Sequence, residues 1–198
     1  MPRKSVGKPT SNQIRIVGGK WRGRKLQFPS VDGLRPTGDR IRETLFNWLG
    51  QNLAGSHVLD LFAGSGALGI EALSRGAAFA QFVDTNRQAC KGLEDSLVSL
   101  AASNFSVTQQ TAESFLRSAK PDSMDILFLD PPFANNLHTL IAKQIDQSKI
   151  LKENALVYIE SPRNTETTLP KFWNTLKKKE AGDVCYQLLQ VDCGSAPI

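Results

Sequence analysis

The chain has 198 residues, 40% hydrophobic and 22% charged, with a formal net charge of +5. That is enough for a domain with a full apolar core, perfectly ordinary for a soluble globular protein. No stretch approaches the roughly 18 uninterrupted apolar residues of a membrane helix, and the basic start MPRKSVGKPTSNQ lacks the apolar segment of a secretory signal. Three cysteines (Cys90, Cys185, Cys193) without C-x-x-C spacing, and only two histidines, argue against a structural zinc site and for reduced thiols in a cytoplasmic protein; no metal is expected.

Charge is unevenly spread. Residues 1–42 hold eleven Lys/Arg against two Asp, a net of +9, whereas residues 43–198 hold thirteen against seventeen Asp/Glu, a net of −4. A basic front on a mildly acidic body fits a polyanion-docking surface; for the first dozen residues a merely solvated tail fits as well.

Residues 1–12, with nothing to bury, read as a disordered basic tail. QIRIVGGKWRGRKLQFP (13–29) alternates apolar and polar residues around glycine-containing bends. It predicts a β-hairpin turning at Gly18-Gly19, with Arg15, Lys20, Arg22 and Arg24 on its open face and Trp21 packed beneath rather than stacking on a base. From Thr37 or Asp39 a helix follows, placing Ile41, Leu45, Phe46, Trp48 and Leu49 on one side and running toward residue 53. Short apolar strands at 57–62, 80–84, 105–109, 125–130 and 155–161 then alternate with helices near 66–75, 86–101, 111–119 and 136–147. This order predicts an α/β fold, a largely parallel sheet with helices on both faces and right-handed crossovers. TLKKKEA and VCYQLLQVD, joined at Gly182-Asp183, close it with an antiparallel hairpin, an ending unusual for a nicotinamide-binding fold.

Two motifs carry chemistry. In VLDLFAGSGALGIEAL (58–73) a strand runs into Gly64, Gly66 and Gly69, spaced G-x-G-x-x-G. Such a loop lets a ligand sit against the backbone, at the carboxyl end of a strand where open α/β sheets bind. Asp60 lies inside the end of that strand, four residues before Gly64, where an anion would repel a phosphate and suit an ammonium; Asp84 ends the next strand, where an acid meets ribose hydroxyls. A ligand with a cationic amino acid at one end and a ribose at the other is S-adenosylmethionine. The structural alternative is that Asp60 caps the glycine turn and Asp84 the following helix.

The second motif is ILFLDPPF (126–133). Proline cannot donate to a ladder and forces the preceding residue into extended backbone, so the strand stops at Asp130 on a stiff corner. The Asp130 carboxylate and the Pro131 carbonyl would be acceptors for the two protons of a nucleobase's exocyclic amino group, whose lone pair they would free from the ring; the structural alternative is a proline turn that only ends a core strand. Pro131 and Pro132 keep these acceptors in place, and Phe133 offers a stacking face.

With DLFAGSGALGIEALSRGA and DPPF in hand, the chain resembles the class I S-adenosylmethionine-dependent methyltransferases that act on amino groups. IRIVGGKWRGRKL and LRPTGDRIRETLFNWL, in this order, narrow the resemblance to the RsmD-type bacterial enzymes, over about residues 13–192. The resemblance implies a Rossmann-like seven-stranded sheet with a reversed last strand and a small N-terminal hairpin extension. It implies methylation of the guanine 2-amino group in small-subunit (16S) ribosomal RNA, as naked RNA or in the 30S particle. The cofactor would be S-adenosylmethionine, held by Asp60, Gly64, Gly66 and Asp84, with its adenine near Thr111 and Ala112. Thr111 departs from the Asp or Asn common there, so the Ala112 backbone is the expected adenine contact. Asp130, Pro131, Pro132 and Phe133 would be catalytic. Arg15, Lys20, Arg22, Arg24, Arg35 and Arg40, with Arg42, would face RNA. The expected organisation is a tail (1–12), an RNA-docking hairpin (13–36) and a methyltransferase domain (37–198), acting as a monomer. A DNA amino-methyltransferase using the same corner is the alternative, and a chain this short leaves little room for a separate DNA-recognition domain. A dinucleotide- or RNA-binding module without catalysis is a third reading, which leaves Asp60 and the proline corner without a purpose.

Overall fold

The computed structural model describes residues 13–28, 38–50, 52–132, 137–165 and 167–192. The basic tail, Arg35, Phe133 and Cys193 fall outside them. Ile14 and Leu26 face each other across a two-stranded antiparallel hairpin, β1 (Gln13–Arg15) and β2 (Lys25–Gln27), and turn inward with Ile16. The reversal does not sit at Gly18-Gly19. Ile16 N–H donates to the Arg24 carbonyl (2.9 Å) and Gly23 N–H to that of Ile16 (2.8 Å), and the chain bends between Gly19 and Arg24. Gly18 and Gly19 instead bring the backbone against a neighbouring helix: a Cβ on Gly19, whose φ is +73°, would lie 1.9 Å from the Ser74 carbonyl oxygen. Trp21 is buried, as its packing role required.

Helix α1 (Asp39–Leu49) stops short of residue 53, at Gly50 with φ +96°. Then β3 (His57–Asp60), α2 (Ala67–Ser74), β4 (Phe79–Asp84), α3 (Arg87–Ser99), β5 (Phe105–Gln109), α4 (Ala112–Arg117), β6 (Met124–Leu129), α5 (Leu137–Ser148) and β7 (Leu151–Pro162) alternate. The β8 (Trp173–Ala181) and β9 (Val184–Val191) hairpin turns at Gly182-Asp183. The seven strands are ordered β5-β4-β3-β6-β7-β9-β8, parallel from β5 to β7 and antiparallel for β9 and β8. β7 is longer than expected. It begins at Leu151, and its polar start, Lys152-Glu153-Asn154, is accommodated by a register shift opposite Met124/Ile126 and by a left-handed Asn154 (φ +61°).

Alternation along the strands splits the core. Val58, Phe82, Phe128 and Tyr158 pack with Leu45 and Phe46 of α1, with α2 and α3, and with Trp21 and Leu26 of the hairpin. Leu59, Val83, Leu127 and Val157 pack with Leu116 of α4 and with Ile141 and Ile145 of α5. The chain order reverses between β3 and β6, the switch point where open α/β sheets open a crevice at the strand carboxyl ends. Among the described residues no helix is long and apolar enough to cross a membrane.

Candidate active site

Four of the five parallel strands carry an acid at or near their carboxyl end. Register aligns these acids. Asp60 shares a row with Phe82, Phe128 and Tyr158. Two residues further along the same face come Asp84 on β4 and, past the end of β6, Asp130, beside Glu160 of β7; the last matched pair there is Leu129 with Ile159. β3 has ended by then and bends into the glycine loop. Its withdrawal opens a gap between Asp84 and Asp130 about two strand spacings wide, roughly 9–10 Å.

That gap is the floor of a cavity of about 910 Å³. Its walls include Gly38 and Ile41 at the start of α1, Phe62, Gly64 and Ser65 of the glycine loop, Gln110 to Glu113, the Asp130–Pro132 corner, and Asp183-Val184 at the tip of the last hairpin. The described lining holds six carboxylates (Asp60, Asp84, Glu113, Asp130, Glu160, Asp183) and no Lys, Arg or His. Such a chamber receives cations and hydrogen-bond donors and repels phosphate.

Each expected cofactor residue lies on this wall except Gly66, which shapes the loop from behind. Gly66 has φ +74°, and a Cβ there would meet Leu93 Cδ1 at 2.3 Å, so both torsion and space demand glycine. Gly69 packs α2 against β4, its missing Cβ leaving room for the Phe82 ring. Both acids serve loop and cavity together. Asp60, buried, accepts from Gly69 N–H (3.1 Å). Asp84 accepts from Gly64 N–H (2.7 Å) through one oxygen and from Asn86 N–H (2.7 Å) through the other. Holding the loop and lining the cavity are therefore compatible at both positions, while the cap of α3 is Asn86, whose Oδ1 accepts from Gln88 and Ala89 N–H, and not Asp84.

Burial, partly offset by the Gly69 hydrogen bond and reinforced by the charge of Asp84, pushes the Asp60 carboxyl up to about 7. Asp130 is held well above the usual carboxylate range, first by burial and then by the like charges of Glu160 and Asp60. Thr111 caps α4, its Oγ1 accepting from Ser114 N–H (3.1 Å). Ala112 is the first residue of that helix, and its N–H has no partner within the helix. Pro131 is buried and Pro132 exposed; the Phe133 position falls outside the described residues.

Arg15, Lys20, Arg22, Arg24 and Arg40 are exposed, and Arg24 also donates to the Ser99 carbonyl (2.9 Å). Arg42 corrects the expectation that it faces RNA: it is 1% exposed. Its guanidinium pairs with Asp39, lies 3.5 Å from Glu71 Oε2 and donates to the Arg15 carbonyl (2.8 Å). Glu71, fully buried, accepts from Val17 N–H (2.9 Å) and Arg75 Nε (2.9 Å). A buried acid flanked by two arginines explains why Arg42 turns inward while Arg40 does not. Sequence reading passed over Glu160; its one signal was an acid near the end of an apolar strand, the pattern already noted at Asp60, Asp84 and Asp130.

The chain matches the family described as conserved hypothetical protein 95 over residues 14–190. It is 46% identical over 181 residues to the ribosomal RNA small subunit methyltransferase D of Escherichia coli (strain K12), spanning 91% of each protein. It is 41% identical to the protein of that name in Haemophilus influenzae, over 90% of this chain and 94% of that one. The solved structure of the Escherichia coli protein yhhF, described as a methyltransferase, superposes with a TM-score of 0.85 at 42% identity, covering 92% of this chain and all (100%) of that one. A family match along most of the sequence, relatives this close and a shared fold lead to one conclusion: the chain belongs to the conserved hypothetical protein 95 family, the RsmD family, a class I methyltransferase fold.

Proposed function

We propose that this protein transfers a methyl group from S-adenosylmethionine to the exocyclic 2-amino group of a guanine in small-subunit (16S) ribosomal RNA. Membership of a family whose curated relatives are ribosomal RNA small subunit methyltransferases supports ribosomal RNA as the substrate and methyl transfer as the reaction. The observation that carries the rest is the meeting, in one acidic chamber, of the glycine loop and the Asp130–Pro132 corner.

The residues present fit S-adenosylmethionine. A cavity of about 910 Å³ is ample for a nucleoside with an amino-acid tail, and its described lining carries no cation to oppose a sulfonium or an ammonium. Asp60 would take the ammonium, Asp84 the ribose hydroxyls, and the Ala112 N–H the adenine. When bound, the cofactor supplies an electrophilic methyl group. The chain's task is to present the amine. Asp130 and the Pro131 carbonyl accept its two N–H groups, turning the nitrogen lone pair out of conjugation. With its pKa raised by burial and like charge, Asp130 is also suited to accept the proton that the amine sheds as the new N–C bond forms. A guanine in structured RNA would have to be flipped out to reach this floor, and the exposed Arg15, Lys20, Arg22, Arg24 and Arg40, with Arg35, would hold the surrounding phosphates.

The test is methyl transfer from labelled S-adenosylmethionine to small ribosomal subunits lacking native methylation, to their naked RNA and to genomic DNA, with products identified as nucleosides by mass. Label in 2-methylguanosine from RNA is expected. Label in a DNA base alone would transfer the assignment to DNA amino methylation, and the absence of label in any nucleoside would overturn the reading.

A further inference from the structure

Glu160 is 5% exposed, yet it lines the chamber directly beside Asp130. Adjacent parallel strands lie roughly 4.8 Å apart, and Glu160 follows Ile159, the partner of Leu129, just as Asp130 follows Leu129. Residues 158 and 160 and residues 128 and 130 share one face of the sheet, so the two carboxylates stand side by side.

The surroundings hold Glu160 in place. The Tyr158 hydroxyl donates to its Oε1 (2.8 Å), and the His138 Nε2–H donates to its backbone carbonyl (2.7 Å). Tyr158 and His138 are themselves buried. A second acid beside Asp130 costs electrostatic energy, since each charge disfavours the other. A base presenting two adjacent donors offsets that cost.

Resting on the guanine reading above, we infer that Glu160 is the specificity-determining residue of this site, its carboxylate accepting the N1–H of the guanine whose 2-amino group is held at Asp130. Guanine presents N1–H and N2–H side by side, two donors against two acceptors. Adenine and cytosine present a ring-nitrogen acceptor next to their amino group, which would meet the Glu160 carboxylate lone pair to lone pair. Asp130 alone grips any exocyclic amine; the pair grips guanine.

The experiment replaces the acceptor guanine, once mapped, by 2,6-diaminopurine or 2-aminopurine in the substrate RNA. Both analogues keep the 2-amino group and turn N1 into an acceptor, and both also lose O6, so the part of the loss that belongs to N1 is the part that changing Glu160 removes. With the unaltered enzyme, kcat/KM falls roughly 10- to 100-fold on both analogues. In Glu160→Gln, whose amide offers a donor as well as an acceptor, the preference collapses toward unity, with cofactor affinity retained. A residue that merely supports the strand would lower all three rates alike. Should the amide variant not fold, Glu160→Asp keeps the charge and withdraws the acceptor, and it narrows the preference by slowing guanine alone. Equal rates on the three RNAs with the unaltered enzyme, or full preference in whichever variant folds, overturns the role of Glu160 and leaves guanine methylation standing. Failure to methylate the guanine RNA itself overturns the underlying reading instead.

Discussion

In its proposed role, Asp60 stores a proton that the ammonium of the ligand has to displace. Its carboxyl titrates near 7 in the folded protein, against an ordinary value of 3.8. Because the folded value is the higher one, this group's contribution to stability is complete below about pH 4 and is lost as pH rises through about 7. A cation beside Asp60 reverses the preference. Affinity for S-adenosylmethionine should therefore climb as pH rises through about 7 and fall again as the ligand's own amino group, with a pKa of about 8, loses its charge. Calorimetry in buffers of different ionisation enthalpy should detect proton release on binding near neutrality, and Asp60→Asn should bind weakly and without this pH dependence; a flat profile in the unaltered protein would take Asp60 out of the ammonium site. Asp130→Ala should lose roughly 100-fold or more in turnover, the scale of a preorganised polar contact, and keep its cofactor affinity in the same titration; near-normal turnover would remove Asp130 from the chemistry. These acids were legible in the sequence because a strand-ending aspartate followed by glycine or proline is a local pattern. Glu160 was passed over although it too stands near the end of an apolar strand, with a proline two residues on; its place beside Asp130 exists only once β6 and β7 are in register. Arg42 was misread for the same kind of reason. Arg40 and Arg42 are two positions apart on one helix, and what separates them is Glu71, 29 residues further along.

The glycine loop owes its shape to what packs behind it. α2 is buried along its entire length, and Gly69 is where it presses on β4. Adding a methyl in Gly69→Ala would put a carbon 2.2 Å from Phe82 Cε1, so ring and helix must part. The expected cost is roughly 1–3 kcal/mol, the range for overpacking a core, and thermal denaturation should show a Tm lower by several degrees. An unchanged Tm would mean that the ring rotates aside freely. The element order, the parallel sheet and the closing hairpin were all readable from periodicity and turn residues, since those signals are local. The start of β7 was not, because Lys152-Glu153-Asn154 looks like a loop and becomes strand only by pairing. Gly18-Gly19 looked like a hairpin turn because glycine pairs serve turns, and nothing nearby in the chain announces the Ser74 carbonyl they approach.

Charge divides the protein into an interior chamber lined by acids and a front studded with Arg15, Lys20, Arg22, Arg24 and Arg40. In the proposed function the front would attract a nucleic-acid backbone and the chamber would reject it, so that a base could enter while its phosphates stay outside. Arg22→Ala with Arg24→Ala should weaken RNA binding and flatten the slope of log affinity against log salt by about 0.7–0.9 per lost phosphate contact, with cofactor affinity intact. Unchanged RNA affinity across a salt titration would leave those arginines without a role. The hairpin bearing them is tied to α2 by its backbone: the amides of Val17, Lys20 and Trp21 donate to Glu71 Oε2, the Ser74 carbonyl and the Ser74 hydroxyl. Those three protons can trade with solvent deuterium only when the hairpin lifts from the helix that carries the glycine loop. In hydrogen-exchange mass spectrometry, peptides covering Val17–Trp21 and α2 should take up deuterium at one common rate and slow together when S-adenosylmethionine is added, so that the basic hairpin reports on a ligand bound on the far side of α2.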